Sequence, residues 1–383
     1  MGWGPLRRAG AFNRHSAQVA VVLITTLALL AGHALTPNRA HAHESIAPVQ
    51  VGTSFSIQRA ETLGLDWKAT YDQVLDMHFK VIRLGVYWSD VDSEGYDQTD
   101  WLLNESAKAG QPVVLTVGMK SLGWPEFYIP EQYQPRIANG GDVSHDAVVG
   151  DAVLPFIQET VERYSAYPNL VAWQVENEPF NPAGPNRWWI GKDLLLRELA
   201  MVRDTDQGRH PLVVNVFGHF NMQLDAASSR TGATLGSLLG FDSDSAERDA
   251  LSVLRPGDVL GSDVYTRIGY SFLGHNGVAE ADSNWDDRVA QWQKSALNQQ
   301  KKAWVMEAQA EPWEADHSAD SNPKSFSPPD VERTFHDLKL AGQSTVLLWG
   351  VEYWFWGLQN GDPTWLEAGR SILRSEAKAP AVS

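Results

Sequence analysis

Short apolar runs rich in β-branched residues alternate with longer helical patterns from about residue 48 onwards. This alternation predicts βα units, which build a parallel sheet covered by helices. Strands are predicted over residues 49–57, 80–87, 112–118, 170–176, 211–217, 258–265, 303–308 and 345–350. Helices are predicted over residues 65–79, 151–167, 193–202, 285–301, 329–341 and 365–375, with a weaker one near 232–240. Asp151 and Asp193 are the predicted N-caps of two of these helices.

Eight such units predict an α/β fold, a (β/α)8 or TIM barrel with enlarged loops. A doubly wound parallel sheet is the alternative. The barrel is favoured because polar candidate residues follow many different strands, whereas a doubly wound sheet gathers its ligand site at one switch point. The chain has no glycine-rich phosphate loop after the first strand and no Walker pattern, so nucleotide binding is not predicted.

The N-terminal segment has the features of a secretory signal. Three arginines within the first 14 residues precede an uncharged apolar stretch at 17–30, and a small-x-small site follows at 40–42. We therefore predict a signal peptide over 1–42, a single barrel domain over 43–383, and a secreted protein. An uncleaved membrane anchor is the alternative, because the apolar segment is long enough to span a bilayer.

Charge and composition limit the partners and cofactors. The net charge of −16 argues against nucleic acid or an anionic membrane as the main partner. The absence of cysteine excludes disulfides and thiolate metal sites, and the 11 histidines lie mostly outside the predicted strands. No metal or other cofactor is therefore expected, although a metal-dependent TIM-barrel hydrolase remains an alternative.

The fourth predicted strand runs directly into Asn177-Glu178-Pro179. Proline cannot continue a central strand, so Pro179 places Asn177 and Glu178 at the barrel mouth. Strand alternation predicts that Glu178 faces inward together with Glu176. The alternative is a polar strand end whose carboxylates are simply solvated.

The seventh predicted strand is apolar and ends on Glu307, at the same end of the barrel. Taken alone, Glu307 could form an ion pair with an arginine at the barrel mouth. Together with Glu178 it suggests a pair of catalytic carboxyl groups. Glycoside hydrolysis with retention needs two carboxyl groups roughly 5–5.5 Å apart, and a barrel mouth suits that separation.

Further residues at strand ends carry a resemblance to a known group of enzymes. Arg83 lies in the second strand, Asn177 precedes Glu178, Tyr265 ends the sixth strand and Trp349 ends the eighth. In this order the chain resembles the clan A retaining glycoside hydrolases, nearest to family 5, the cellulase family. The resemblance covers roughly residues 50–375.

The resemblance implies a role for each matching residue. Glu178 would be the acid/base and Glu307 the nucleophile. Arg83 would support the nucleophile and keep its pKa low, and Tyr265 would contact it. Asn177 would hydrogen-bond the substrate 2-hydroxyl. The ring of Trp349 would form the floor of the −1 subsite.

The chain also departs from the family 5 pattern. Asp263-Val264-Tyr265 stands where that family usually has His-x-Tyr, and the histidine often found near strand three is absent. The clan is therefore supported better than the family or the substrate. Other carboxylates that compete for the catalytic roles are Glu176, Asp263, Glu311 and Glu352, and Glu352 is also predicted to contact substrate.

The chain has 16 tryptophans, and flat indole rings can stack on the apolar faces of sugars. Several are predicted to lie in loops beyond strand ends, where such platforms would be found, although each could instead pack in the core. The predicted substrate-binding platforms are Trp88, Trp124 and Trp313, with Trp188, Trp189, Trp354 and Trp356 as weaker candidates.

These features predict a monomeric retaining glycoside hydrolase that cleaves β-glycosidic bonds of a polysaccharide or oligosaccharide, of β-glucan or β-mannan type. Double displacement would need no cofactor. Two alternatives remain. One is a carbohydrate-binding protein on the same barrel without catalysis, and the other is a transglycosylase, which differs only in its acceptor.

Overall fold

The computed structural model describes residues 48–218, 243–272, 275–281, 283–314 and 322–378. The predicted signal peptide and the weak helix near 232–240 lie outside these residues. The strands are β1 (Gln50–Phe55), β2 (Ile82–Gly85), β3 (Val113–Val117), β4 (Leu170–Val175), β5 (Leu212–Gly218), β6 (Val259–Val264), β7 (Arg267–Phe272), β8 (His275–Glu280), β9 (Lys302–Gln309) and β10 (Thr345–Trp349).

Strands β1 to β6, β9 and β10 are parallel and close into a barrel, in chain order around the ring. The predicted TIM barrel is therefore confirmed, and each of its strands lies where the sequence predicts one. Strands β7 and β8 form an antiparallel hairpin between β6 and β9, which was not predicted.

Helices follow the strands of the barrel. They are α1 (Ile57–Thr62), α2 (Trp67–Leu75), α3 (Trp88–Glu94), α4 (Asp97–Ala109), α5 (Ala147–Tyr164), α6 (Lys192–Asp206), α7 (Ser243–Val253), α8 (Trp285–Asn298), α9 (Pro328–Leu340), α10 (Val351–Gln359) and α11 (Thr364–Lys378). Within the part of the chain that the structure describes, none of the helices combines the length and the apolar character needed to cross a bilayer.

Two helices begin earlier than the sequence predicts. Asp146, not Asp151, is the N-cap of α5, where its side chain accepts hydrogen bonds from the amides of Val148 and Val149. Helix α6 has Gly191 rather than Asp193 at its N-cap. The sequence prediction also missed α4, whose composition is largely polar and whose C-cap is the left-handed Gly110.

The barrel interior has two layers. Buried apolar residues fill the lower layer, among them Val81, Ala172, Val213 and Leu347. Side chains two positions further along a strand share its face, so the layer above contains Arg83, Gln174, Asn215 and Trp349. Strand alternation thus places the polar residues directly on an apolar plug, at the carboxyl ends of the strands.

Strand β9 departs from regular alternation next to this polar layer. Met306 belongs to the apolar plug, yet its neighbour Glu307 also reaches the polar layer. The register between β6 and β9 shifts between Ser262 and Asp263, beside Glu307. An irregularity of this kind re-aims a side chain, and so two successive residues can contribute to the barrel interior.

Candidate active site

The end of β4 leaves the extended conformation before Pro179. Glu176 and Glu178 have φ values of 61° and 44°, in the left-handed region that non-glycine residues rarely adopt. The Glu176 carboxylate accepts hydrogen bonds from the amides of Met119 (2.8 Å) and Lys120 (2.6 Å), at the end of β3. The prediction that Glu176 faces the barrel interior by strand alternation is therefore wrong, because the alternation ends at this residue.

A glycine makes room for the turned Glu176. Gly118 has a φ of 133°, and a Cβ atom there would lie 2.2 Å from Oε1 of Glu176. Behind Glu176 lies the buried carboxyl group of Glu198. Burial raises the pKa of Glu176 to about 7, and it raises the pKa of Glu198 well above its usual value. This pair supports the β4 turn and lies behind the barrel mouth.

The Glu178 side chain is nearly buried and is oriented by Lys120 and Asn181. The Lys120 ammonium donates to the backbone carbonyls of Glu178 (2.9 Å) and Asn181 (3.1 Å), and it lies 3.7 Å from Oε2 of Glu178. Asn181 Nδ2 donates to that same Oε2 at 3.0 Å. Glu178 is therefore fixed in position by Asn181 in its own turn and by Lys120, which follows β3.

Glu307 has a different environment. Arg83 Nη2 donates to Oε1 at 2.6 Å, and the Tyr265 hydroxyl donates to Oε2 at 2.5 Å. The Arg83 guanidinium is fully buried, and it also donates to Ser54 Oγ (2.9 Å) and Gln174 Oε1 (3.3 Å). Both partners of Glu307 stabilise its ionised form.

The net pKa direction for Glu307 differs from the prediction. Burial raises the pKa of the Glu307 carboxyl above its ordinary value, while Arg83 and Tyr265 lower it and the nearby Glu178 raises it further. Arg83 acts in the expected direction but does not outweigh desolvation. The reason is that Glu307 lies deep in the barrel mouth, beside further carboxyl groups.

Carboxylate oxygens of Glu178, Asp263 and Glu307 all lie within 4.8 Å of one another, and all three residues are buried. Inverting glycosidases separate their carboxyl groups by roughly 6.5–9.5 Å to admit a water, whereas retaining enzymes need roughly 5–5.5 Å. The close approach of Glu178 to Glu307 is therefore nearer to the spacing of retaining enzymes than to that of inverting ones, and it is compatible with direct attack by one carboxylate.

Gln174 and Asn215, which the sequence prediction missed, connect these groups. Asn215 Oδ1 accepts from the Glu178 amide (2.9 Å) and from Gln174 Nε2 (3.0 Å). Asn215 Nδ2 donates to Asn177 Oδ1 (2.7 Å) and Asp263 Oδ2 (2.6 Å). The sequence did carry a signal for both, since each is a single polar residue within an otherwise apolar strand.

Trp349 and Trp313 lie near the carboxyl groups. The ring of Trp349 has the Arg83 guanidinium 5.6 Å from its centroid, and its Nε1 donates to Glu311 Oε1 at 3.1 Å. The ring of Trp313 meets Tyr265 edge-on at 5.0 Å. Trp124 is 58% exposed, on the loop that follows β3. These three tryptophans remain candidates for substrate contact.

Trp88 packs in the core and does not face the site, in contrast to the prediction, whereas substrate contact by Glu352 stays a prediction. Trp88 is buried and its ring stacks against Tyr133 and Phe156 in the core. Glu352 is buried and accepts a hydrogen bond from the amide of Ser56. Among the weaker candidates, Trp188 and Trp354 are also buried.

The three clustered carboxylates are spaced so that they could also hold a metal ion. Two features argue against a resident metal at this point. The Arg83 guanidinium already supplies a positive charge 2.6 Å from Glu307, and Tyr265 occupies the other oxygen of that carboxylate. Arg83 and Tyr265 therefore already stabilise the negative charge that a bound cation would otherwise neutralise.

No protein-family model matches the chain. A search of curated proteins by sequence also finds no match.

The fold is similar to several solved glycoside hydrolases. A β-galactosidase from Rahnella sp. R3 superposes with a TM-score of 0.56 at 12% identity, covering 88% of this chain and 56% of that one. A β-galactosidase from Marinomonas ef1 gives 0.54 at 12%, covering 85% and 59%. GH5_18 from Streptomyces cattleya, solved in complex with GlcNAc, gives 0.54 at 13%, covering 88% and 83%.

At these identities the similarity shows the fold alone. The similarity supports the TIM-barrel fold, which these glycoside hydrolases share, and it does not single out family 5. The chain spans less than three fifths of the length of either β-galactosidase.

Because Trp88 is buried and Trp124 is exposed, truncation of the two side chains should affect the free energy of unfolding very differently. Trp88→Ala should lower the free energy of unfolding by roughly 3–5 kcal/mol, because it empties a packed core position. Trp124→Ala should change it by less than about 0.5 kcal/mol, because that side chain is mostly exposed. Urea titrations followed by circular dichroism would measure both. Equal stability of the two variants would contradict the core position of Trp88.

Glu352 predicts a pH-dependent contribution to stability. Burial raises its pKa to about 8, against about 4.3 in an unfolded chain. The folded state therefore binds more protons between these values, so this stabilisation is complete below about pH 4.3 and is lost as pH rises through about 8. Glu352→Gln stays neutral at every pH, so its free energy of unfolding should fall less steeply over this pH range, by up to roughly 1.4 kcal/mol per pH unit. Denaturation at several pH values tests this, and identical slopes would contradict it.

Proposed function

We propose that this protein is a retaining glycoside hydrolase, with Glu307 as nucleophile and Glu178 as acid/base. The observation that carries the proposal is the asymmetry of two carboxyl groups whose oxygens lie within 4.8 Å. A guanidinium and a phenol hydroxyl both donate to Glu307, which suits an ionised nucleophile. The Glu178 carboxylate accepts one hydrogen bond, from the Asn181 amide, and the Lys120 ammonium lies farther away at 3.7 Å. Fewer direct donors than on Glu307 suit a group that gains and loses a proton.

In the first step, a carboxylate oxygen of Glu307 attacks the anomeric carbon while Glu178 gives its proton to the leaving glycosidic oxygen. The carbon–oxygen bond to the aglycone breaks, and a glycosyl ester to Glu307 forms. In the second step, Glu178 takes a proton from a water molecule while the oxygen of that water attacks the anomeric carbon. The ester bond breaks, and Glu307 is released as a carboxylate. Two inversions at one carbon retain its configuration.

Asn177 is proposed to bind the 2-hydroxyl of the sugar. Its Oδ1 accepts from Gln174 Nε2 (3.2 Å) and Asn215 Nδ2 (2.7 Å), and these bonds fix the orientation of the amide. Its Nδ2 is therefore the group that we assign to the substrate. Hydrogen bonds to the 2-hydroxyl strengthen towards the transition state and contribute several kcal/mol in such enzymes.

The proposed substrate is a β-linked oligosaccharide or polysaccharide. The resemblance to family 5 favours β-glucan or β-mannan, and the similarity of the fold to two β-galactosidases adds β-galactosides to the candidates. We propose that Trp349 stacks beneath the sugar that is cleaved, with Trp313 and Trp124 further out. A panel of aryl β-glucoside, β-mannoside and β-galactoside would identify the sugar. Secretion and a monomeric state are also proposed, from the N-terminal signal pattern and the acidic surface.

Substitution of each glutamate should abolish turnover in a distinct way. We expect Glu307→Ala and Glu178→Ala each to lower kcat on an activated aryl glycoside by at least about 1000-fold. Azide should rescue both variants, because it fits the space left by a carboxylate. The rescued product should have inverted configuration for Glu307→Ala and retained configuration for Glu178→Ala, as read by NMR. Full activity of Glu307→Ala would exclude it as the nucleophile.

The proposed chemistry also predicts that chelation has no effect. Arg83 and Tyr265 supply the positive and hydrogen-bonding partners of Glu307, so turnover should be unchanged after dialysis against EDTA. Loss of activity that is restored by a divalent cation would instead support a metal held by the three carboxylates.

A further inference from the structure

A third carboxyl group lies between the two proposed catalytic glutamates and has no role in double displacement. Asp263 lies on β6, two residues before Tyr265, and it is fully buried. It pairs in register with Glu307 on β9, and one of its oxygens lies within 4.8 Å of both glutamates. Three buried carboxyl groups this close cannot all be ionised at low energy.

The two oxygens of Asp263 have different surroundings. Oδ2 accepts from Asn215 Nδ2 at 2.6 Å. Oδ1 is buried, and among the described residues it has no hydrogen-bond donor. Leaving an ionised oxygen buried without a donor costs several kcal/mol. A proton on Oδ1 removes that cost, because the group then becomes a donor itself.

The acceptor next to Asp263 is Glu178. Two ionised carboxylates have no hydrogen to share, so a hydrogen bond between Asp263 and Glu178 needs a proton on one of them. A proton on Oδ1 of Asp263 also gives this buried oxygen a partner, and the hydrogen bond to Glu178 raises the pKa of Asp263. Glu178 already accepts from Asn181 on Oε2. A second hydrogen bond from β6 would fix the Glu178 carboxyl from the side opposite to its own turn.

The charges that face Asp263 also favour its neutral form. Glu178 lies just after β4, Glu307 lies on β9, and Tyr265 directly follows β6, the strand of Asp263. Arg83 on β2 is the cation that opposes them, and it is already paired with Glu307. Burial and the two glutamates raise the pKa of Asp263 well above its usual value. With Asp263 neutral and Glu307 ionised, Arg83 balances the charge of Glu307, and the Lys120 ammonium lies 3.7 Å from Glu178.

We propose that Asp263 is a positioning residue that keeps its proton during turnover, donates a hydrogen bond from Oδ1 to Glu178, and stops the reaction when it ionises. This inference rests on the proposed function. Ionised Asp263 would repel both glutamates and withdraw the hydrogen bond that orients the acid. The alkaline limit of activity is then set partly by Asp263 and not by Glu178 alone.

The pH profile of Asp263→Asn tests this proposal. Asparagine has the same shape, can donate from its amide and does not ionise. Below the alkaline limb, we expect kcat/KM within about tenfold of wild type. The midpoint of the limb should move to higher pH by roughly one unit, because only the proton of Glu178 is left to lose.

Asp258→Asn is the matched control. Asp258 is a buried carboxylate just before the other end of β6, where it accepts from the Leu212 amide and pairs with Arg203. Its substitution should lower the melting temperature and leave the alkaline midpoint unchanged. A purely structural role of Asp263 would give this same pattern. An unchanged or lower midpoint in Asp263→Asn would therefore overturn the proposal, as would a loss of 100-fold or more at every pH, since an anion would then be required.

An infrared measurement separates this inference from the proposed function. A protonated carboxyl group has a carbonyl stretch distinct from that of a carboxylate. The difference spectrum between wild type and Asp263→Asn at pH 7 should contain that band, whether or not the protein hydrolyses any glycoside tested. A carboxylate band in its place would show that Asp263 is ionised and would overturn the proposal. Absence of hydrolysis with the protonated band present would count against the proposed function alone.

Discussion

The buried guanidinium of Arg83 is the constraint on which the rest of the barrel mouth depends. A fully buried cation is costly unless it is paired and its donors are satisfied. Here Nη2 binds Glu307, Nη1 binds Gln174 and Nε binds Ser54. Each partner comes from a different strand, so the requirements of a single charge bring four parts of the barrel together. Removing Glu307 would leave an unpaired charge in the barrel interior, and removing Ser54 or Gln174 would leave a buried donor without its acceptor.

The apolar layer beneath makes this arrangement possible. Residues such as Val81 and Ala172 fill the lower barrel, so water does not reach the polar layer from below. Strand alternation then raises Arg83 and Gln174 directly above them. Low dielectric surroundings strengthen each hydrogen bond in the layer, and they also penalise each surplus charge. The same burial that aims Glu307 therefore raises its pKa, and it favours a proton on one of its carboxylate neighbours.

The sequence predicted the barrel because strand periodicity is a local property that appears directly in β-branched runs. It predicted that Glu178 and Glu307 lie at the barrel mouth because both stand at or near the carboxyl ends of apolar strands. It failed where side-chain direction depends on tertiary contacts. Glu176 turns away because the amides of Met119 and Lys120 bind it, and Trp88 is buried by rings from distant segments. Neither contact is encoded in the residues next to them.

The most direct test of the account is to trap the glycosyl–enzyme ester. In a 2-deoxy-2-fluoro glycoside the fluorine slows both steps, while an activated leaving group keeps the first step faster than hydrolysis of the ester. The glycosyl–enzyme intermediate should therefore accumulate. Peptide mass spectrometry should then find one sugar attached to Glu307, and Glu307→Gln should remain unlabelled. A label on Asp263 or Glu178, or inverted product with no ester at all, would contradict double displacement through Glu307.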